Sequence, residues 1–114
     1  MQEKTLSKIL YAEDDDDIRE IGHLALETLG GFEIVACASG TEAVSAALDF
    51  KPDLFLLDVM MPGLDGPGVL ERLRMLPEFE KTPVVFMTAK VLQQEIDQYL
   101  AMGVAQVIKK PFDP

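Results

Sequence analysis

Residues 8–38 read KILYAEDDDDIREIGHLALETLGGFEIVACA. The period of the apolar residues changes twice within this stretch. KILYA (8–12) is a short apolar run of strand length. DDIREIGHLALETLGG (16–31) then sets Ile18, Ile21, Ala25 and Leu29 at helical spacing, and FEIVACA (32–38) is again a strand-like run. Asp15 or Asp16 can cap the start of the helix, and Gly30–Gly31 can end it. Strand, helix, strand within one short segment is the signature of a crossover unit joining parallel strands. Between the first strand and the helix stand five consecutive carboxylates, Glu13 to Asp17. Like charges at neighbouring positions repel, and such blocks usually mark solvated segments. Their place directly after an apolar strand therefore asks for a reason.

The alternation continues along the chain. SGTEAVSAALDF (39–50) opens with Ser39 three residues before Glu42, a capping-box pattern, and reads as a helix closed off by Pro52. DLFLLD (53–58) is almost wholly apolar, as expected of a strand covered on both faces. VMMPGLDGPG (59–68) is rich in turn residues. Val69, Leu70, Leu73 and Leu76 form a helical stripe. TPVVFMT (82–88) is a fourth strand. LQQEIDQYLAMG (92–103) is a helix with Leu92, Ile96 and Tyr99 expected inward, and VAQVI (104–108) is a fifth strand. The fold expected is an α/β doubly wound sheet of five parallel strands.

Bulk properties narrow the function. The 114 residues suit one domain over 1–114, with no repeat, linker or boundary. Hydrophobic residues make up 48% of the chain, enough for a core. Net charge is −10, from 20 acidic and 10 basic residues, which argues against affinity for nucleic acid and favours cations or basic partners. No apolar stretch approaches the ~20 residues of a membrane span. MQEKTLSK at the start lacks a signal-peptide core, so a cytoplasmic location is expected. The single cysteine, Cys37, is expected to be a small buried hydrophobe, and the single histidine, His23, a helix-surface residue. Together they supply no zinc ligand set.

In an open parallel sheet, ligands bind beyond the carboxyl ends of the strands, where strand order reverses. Glu13 and Asp14 end strand one, and Asp58 ends strand three. In the flavodoxin-like order 2-1-3-4-5 these strands are neighbours at that point. Three carboxylates in one cleft repel unless a cation or protons relieve them. An all-oxygen set suits a hard cation, Mg²⁺ above all. Thr88 ends strand four, and Lys109 and Lys110 follow strand five. A hydroxyl and an ammonium beside three carboxylates make a site for a metal plus an anion, which are the needs of phosphoryl chemistry.

YAEDDDDIRE, PDLFLLDVMMPGLDG, VVFMTAK and VIKKPF, in this order and spacing over residues 7 to 112, resemble the motif series of response-regulator receiver domains. The resemblance implies that Asp58 accepts a phosphoryl group from a histidine kinase or histidine phosphotransfer protein and that the domain then switches conformation. Mg²⁺ would be held by Asp14 and Asp58, by Glu13 directly or through water, and by the Met60 carbonyl. Thr88, the Ala89 and Met60 amides and Lys110 would hold the phosphoryl oxygens. Family alignment selects Lys110 over Lys109, and strand alternation agrees that only one of the two points into the site. Replacing Lys110 by alanine is then expected to leave the fold largely intact. Asp15 to Asp17 are left as capping residues facing the helix dipole.

Three features depart from the family pattern or depend on it. The position of the family's aromatic switch is Val107 here. The Lys110–Pro111 bond is expected to be cis, to aim the lysine back at the site. The family's usual fifth helix is expected to be missing or truncated, since the sequence given stops at PFDP. Apolar side chains of strands three to five beside the first helix are then expected to face water, so that this form either self-associates as a homodimer or loses stability. Rival readings are a degenerate receiver used only for docking and a Mg²⁺-dependent haloacid-dehalogenase-like phosphatase. The latter wants an Asp two residues after its nucleophile, where Met60 stands. A flavin- or nucleotide-binding module is disfavoured, since both phosphate-binding glycine motifs are absent.

Overall fold

The apolar runs become strands because each can be buried on both faces only within a sheet covered by helices. A computed structural model describes residues 6–89 and 92–110. Strands β1 (Lys8–Ala12), β2 (Glu33–Cys37), β3 (Leu54–Asp58), β4 (Val84–Thr88) and β5 (Gln106–Lys109) alternate with helices α1 (Asp16–Gly30), α2 (Gly40–Phe50), α3 (Gly66–Arg74) and α4 (Gln93–Ala101). A 3₁₀ turn, Pro77–Phe79, follows α3. All pairings are parallel and the order is β2-β1-β3-β4-β5, the flavodoxin-like arrangement expected.

Local signals set the helix ends. The Asp15 carboxylate accepts from the Ile18 N–H at 3.0 Å and caps α1. Gly31, at φ 67°, turns left-handed and ends it. Ser39 caps α2 by accepting from the Glu42 N–H, while Glu42 reaches back to the Ala38 N–H rather than to the cap residue itself. Asp65 caps α3 through the Gly68 N–H.

The sheet has two unlike faces. On one, Leu10, Ala12, Phe55, Leu57, Val84 and Phe86 are buried against α2 (Ala43, Ala47) and α3 (Val69, Leu70, Leu73). Phe79 of the 3₁₀ turn meets Phe55 edge-on at 5.3 Å, and Tyr99 of α4 meets Phe86 at 5.4 Å. Val107 joins this face, half-buried. On the other face, Ile9, Tyr11, Ile34, Leu56 and Met87 form a smaller buried cluster, with Leu26 of α1 packed against it.

Several expectations are corrected. On α1, Ile21 is 55% exposed, and the buried position is Gly22. A side chain there would meet the Tyr11 ring at 2.7–2.8 Å, so the helix packs its glycine on the tyrosine. The spacing of Ile18, Ile21 and Ala25 fits a helix, but only Tyr11 decides which side faces inward. Leu92 is exposed because it precedes α4 with extended backbone and is off the helical spiral; Ile96 and Tyr99 are half-buried. Leu76 lies beyond the end of α3. The fifth strand starts and ends later than the apolar run, because Val104 turns into the core ahead of it. Of the side chains expected to face water beside α1, Leu56 and Met87 are buried within the cluster, and Leu54, Val85 and Ile108 are half-buried. The peptide bond after Lys110 and any fifth helix lie outside the described residues. Among the described residues, no helix is long and apolar enough to cross a membrane.

Gly22→Ala separates helix propensity from packing. Propensity alone would add up to about 1 kcal/mol of stability. Contact with Tyr11 should instead cost about 1–3 kcal/mol, as overpacking does. Urea denaturation reads the sign, and a more stable variant would show that Tyr11 moves freely.

Candidate functional site

Parallel strands all end at the same edge, so residues distant in sequence meet there. Glu13 follows β1, Asp58 closes β3, Thr88 closes β4, and Lys110 follows β5. Lys110 Nζ donates to Glu13 Oε1 at 2.9 Å and to Asp58 Oδ2 at 3.0 Å. Glu13 is 0% exposed and Asp58 2% exposed, the two buried charged residues among the described ones. Lys109 points away and is exposed. Adjacent residues of an extended chain point to opposite sides, so with Lys110 in the site Lys109 faces out. The Lys110 backbone is held by an N–H bond to the Thr88 carbonyl at 2.8 Å.

Glu13 is held at four points. Its N–H donates to the Cys37 carbonyl, and its own carbonyl accepts from Arg19 Nη1 at 2.9 Å. Oε1 takes Lys110, and Oε2 accepts from the Asp15 N–H at 3.1 Å. Asp58 Oδ1 accepts from the Met60 N–H at 3.2 Å. The Met60 side chain is 77% exposed at the rim, so its backbone is the part that serves the site. Thr88 is buried and Ala89 exposed beside it. Asp14 is exposed, and one oxygen each of Glu13, Asp14 and Asp58 can be chosen to lie within 4.8 Å of one another. Glu13, Asp14, Asp58, Met60, Thr88, Ala89 and Lys110 therefore all lie at or just beyond the carboxyl ends of the strands.

Two contributors carried no signal in the motif reading. Arg19 was only a polar position on a helix. Gly66 stood in a turn-rich loop; a Cβ there would lie 2.7 Å from the Asp58 carbonyl, so only glycine lets α3 start against the backbone of Asp58. Cys37 is buried as expected, its thiol pushed up to about 12 by burial and the charge of Glu42, which leaves it inert near neutral pH.

The charges are unbalanced: two buried carboxylates face one ammonium. Burial pushes the Glu13 carboxyl up; Lys110 and the Asp15 N–H pull it down, the charge of Asp58 adds to the rise, and the net direction is upward. Burial by itself lowers Lys110, but its bonds to Glu13 and Asp58 outweigh that, and its net shift is upward. Both shifts are upward, so both contributions are lost as pH rises, but in different pH windows. Glu13 favours the folded state most when protonated, and that contribution is lost as pH rises from about its ordinary 4.5 through the raised value. The contribution of Lys110 is complete below its ordinary 10.5 and is lost above that.

This fold and this site define a receiver domain. The family model of the response regulator receiver domain matches residues 9–114, and the chain belongs to that family, a module of two-component signalling. It is 38% identical over 105 residues to the transcriptional regulatory protein CseB of Streptomyces avermitilis, covering 92% of this chain and 43% of that protein. It is 35% identical over 106 residues to the response regulator Rre1 of Synechocystis, covering 93% of this chain and 46% of that protein. The chain thus spans somewhat less than half the length of these relatives. Among solved structures, the chemotaxis protein CheY4 of Vibrio cholerae superposes with a TM-score of 0.88 at 27% identity, over 96% of this chain and 91% of that one.

The burial of the pair revises the expectation that Lys110→Ala leaves the fold intact. At pH 7 the variant should lose about 3 kcal/mol, the order expected when one partner of a buried ion pair is removed. The loss should shrink as pH falls toward 5 and Glu13 takes up a proton. Urea melts at the two pH values read this directly, and a loss equal at both would assign it to packing instead.

Proposed function

We propose that this domain receives a phosphoryl group on Asp58 from the phosphohistidine of a histidine kinase or histidine phosphotransfer protein. The single observation that carries the reading is the Lys110 ammonium bridging the buried carboxylates of Asp58 and Glu13. An ammonium in that place restrains Asp58 before transfer and lies within reach of phosphoryl oxygens afterwards. In the reaction, an Asp58 oxygen forms a bond to phosphorus while the bond from phosphorus to the donor nitrogen breaks. The electron pair leaves with the imidazole, which takes a proton. The Met60 N–H already donates to Asp58, and the Thr88 hydroxyl and Ala89 N–H, at the neighbouring strand end, would receive the equatorial oxygens.

The donor set fits Mg²⁺. It consists of oxygens only, it converges, and its buried part carries one more negative charge than Lys110 neutralises. Asp14, Asp58 and the Met60 carbonyl would be ligands, with Glu13 bound directly or through water. When bound, the ion supplies charge neutralisation for the phosphoryl oxygens. A haloacid-dehalogenase-like reading finds no support, because the acid it needs is replaced by the exposed thioether of Met60.

Incubation with a small acyl phosphate and Mg²⁺ should add one phosphoryl group per chain by intact mass. Asp58→Asn should abolish the gain, and omission of Mg²⁺ should suppress it. Labelling undiminished in that variant would place the acceptor elsewhere, and no labelling of the native chain by any donor would favour a degenerate receiver.

Lys109→Ala and Lys110→Ala should differ sharply in the same assay. The first should phosphorylate at the native rate, since its side chain faces solvent. The second should be impaired in transfer or in the conformational response. The reverse pattern would contradict the assignment.

A further inference from the structure

Resting on the reading of the acidic cluster as a Mg²⁺ site, we infer that Arg19 is a positioning residue for that site, fixing the Glu13–Asp14 peptide so that both carboxylates converge. Arg19 lies in the first turn of α1, and its side chain is 21% exposed. Nη1 donates to the Glu13 carbonyl at 2.9 Å, and Nη2 donates to the Asp16 carboxylate at 2.6 Å. One guanidinium therefore ties the last residue before the acidic loop to the first residue of the helix. Asp14 stands between two anchored neighbours. Glu13 is locked by its four bonds, and Asp15 is fixed as the cap of α1 while its N–H holds Glu13 Oε2. Without the guanidinium, the peptide carbonyl between Glu13 and Asp14 loses that donor. The run of carboxylates is then held at this point against its own repulsion by less.

Two physical effects of Arg19 oppose each other, and that makes the inference testable. Its positive charge beside the cluster repels an incoming cation, so on charge alone its removal should tighten Mg²⁺ binding. Its geometry preorganises the ligands, so on positioning its removal should weaken binding. A fork also differs from a point charge: lysine keeps the charge but cannot make both bonds in this fixed geometry.

The experiment is calorimetric titration of MgCl₂ into the unphosphorylated native chain and into Arg19→Met, Arg19→Lys and Asp14→Asn, with metal-free melts recorded for each. The native chain should bind one ion and Asp14→Asn should bind none. Arg19→Met should bind about tenfold more weakly, as for loss of a group that orients a ligand. Arg19→Lys should fall between it and the native chain. Binding by Arg19→Met as tight as native, or tighter, would overturn the inference and leave the metal site standing. Absence of binding by the native chain would overturn the site itself, and this inference with it. If Arg19→Met does not fold, Arg19→Lys decides: weakened binding supports positioning, and unchanged binding refutes it.

Discussion

The structure turns on one ammonium shared by two carboxylates that are almost wholly removed from water. Lys110 reaches Glu13 across 97 residues of sequence and Asp58 across 52. A parallel sheet brings these three strand ends to one edge, and the order β2-β1-β3-β4-β5 sets β1 beside β3 there. Charges so buried interact strongly, and each would be costly if left alone. Burial above all, with the charge of Asp58 adding to it, raises Glu13, and the count of two carboxylates against one ammonium suits a cation. The site is thus poised by its own imbalance to take up positive charge.

The scaffold around it is divided between two faces. The larger core, beneath α2 and α3, takes most of the apolar side chains and fixes the sheet. The smaller cluster beneath α1 carries the polar chemistry at its upper end, because Tyr11 and Glu13, two residues apart, point to the same side. Close approaches hold the pieces in place. Gly22 admits the ring of Tyr11, and Gly66 admits the backbone of Asp58. Val107 belongs to the other face, near Phe86 and Tyr99, and so sits apart from the ammonium and carboxylates. An aromatic is present in that neighbourhood, on α4 rather than on β5.

Much of this was legible in the amino-acid sequence. Strand and helix order follows from changes of apolar period, the cap at Ser39 follows from short-range hydrogen bonding, and the cap of α1 was narrowed to Asp15 or Asp16, of which the structure uses Asp15. The carboxylates and the lysine could be placed at strand ends because such ends line one edge in a parallel sheet. Strand alternation required only that one of Lys109 and Lys110 face inward; the resemblance to receiver domains chose Lys110, and its contacts with Glu13 and Asp58 agree. Apart from that choice, each of these inferences concerns a single element or a topological rule, and local chemistry determines them.

What the tertiary structure decided was every choice between locally equivalent alternatives. Helical spacing allowed Ile21 to face the sheet, and the bulk of Tyr11 gave that place to Gly22. Periodicity placed Leu92 on a helical face, whereas the chain enters α4 extended and leaves it in water. The reach of Arg19 to the Glu13 carbonyl, the seat of Gly66 on Asp58 and the depth to which Glu13 is buried are properties of contacts between elements. The residues were visible in the sequence, but their charge balance was not. It depends on exclusion of water, and that exists only once the strands and helices have closed around them.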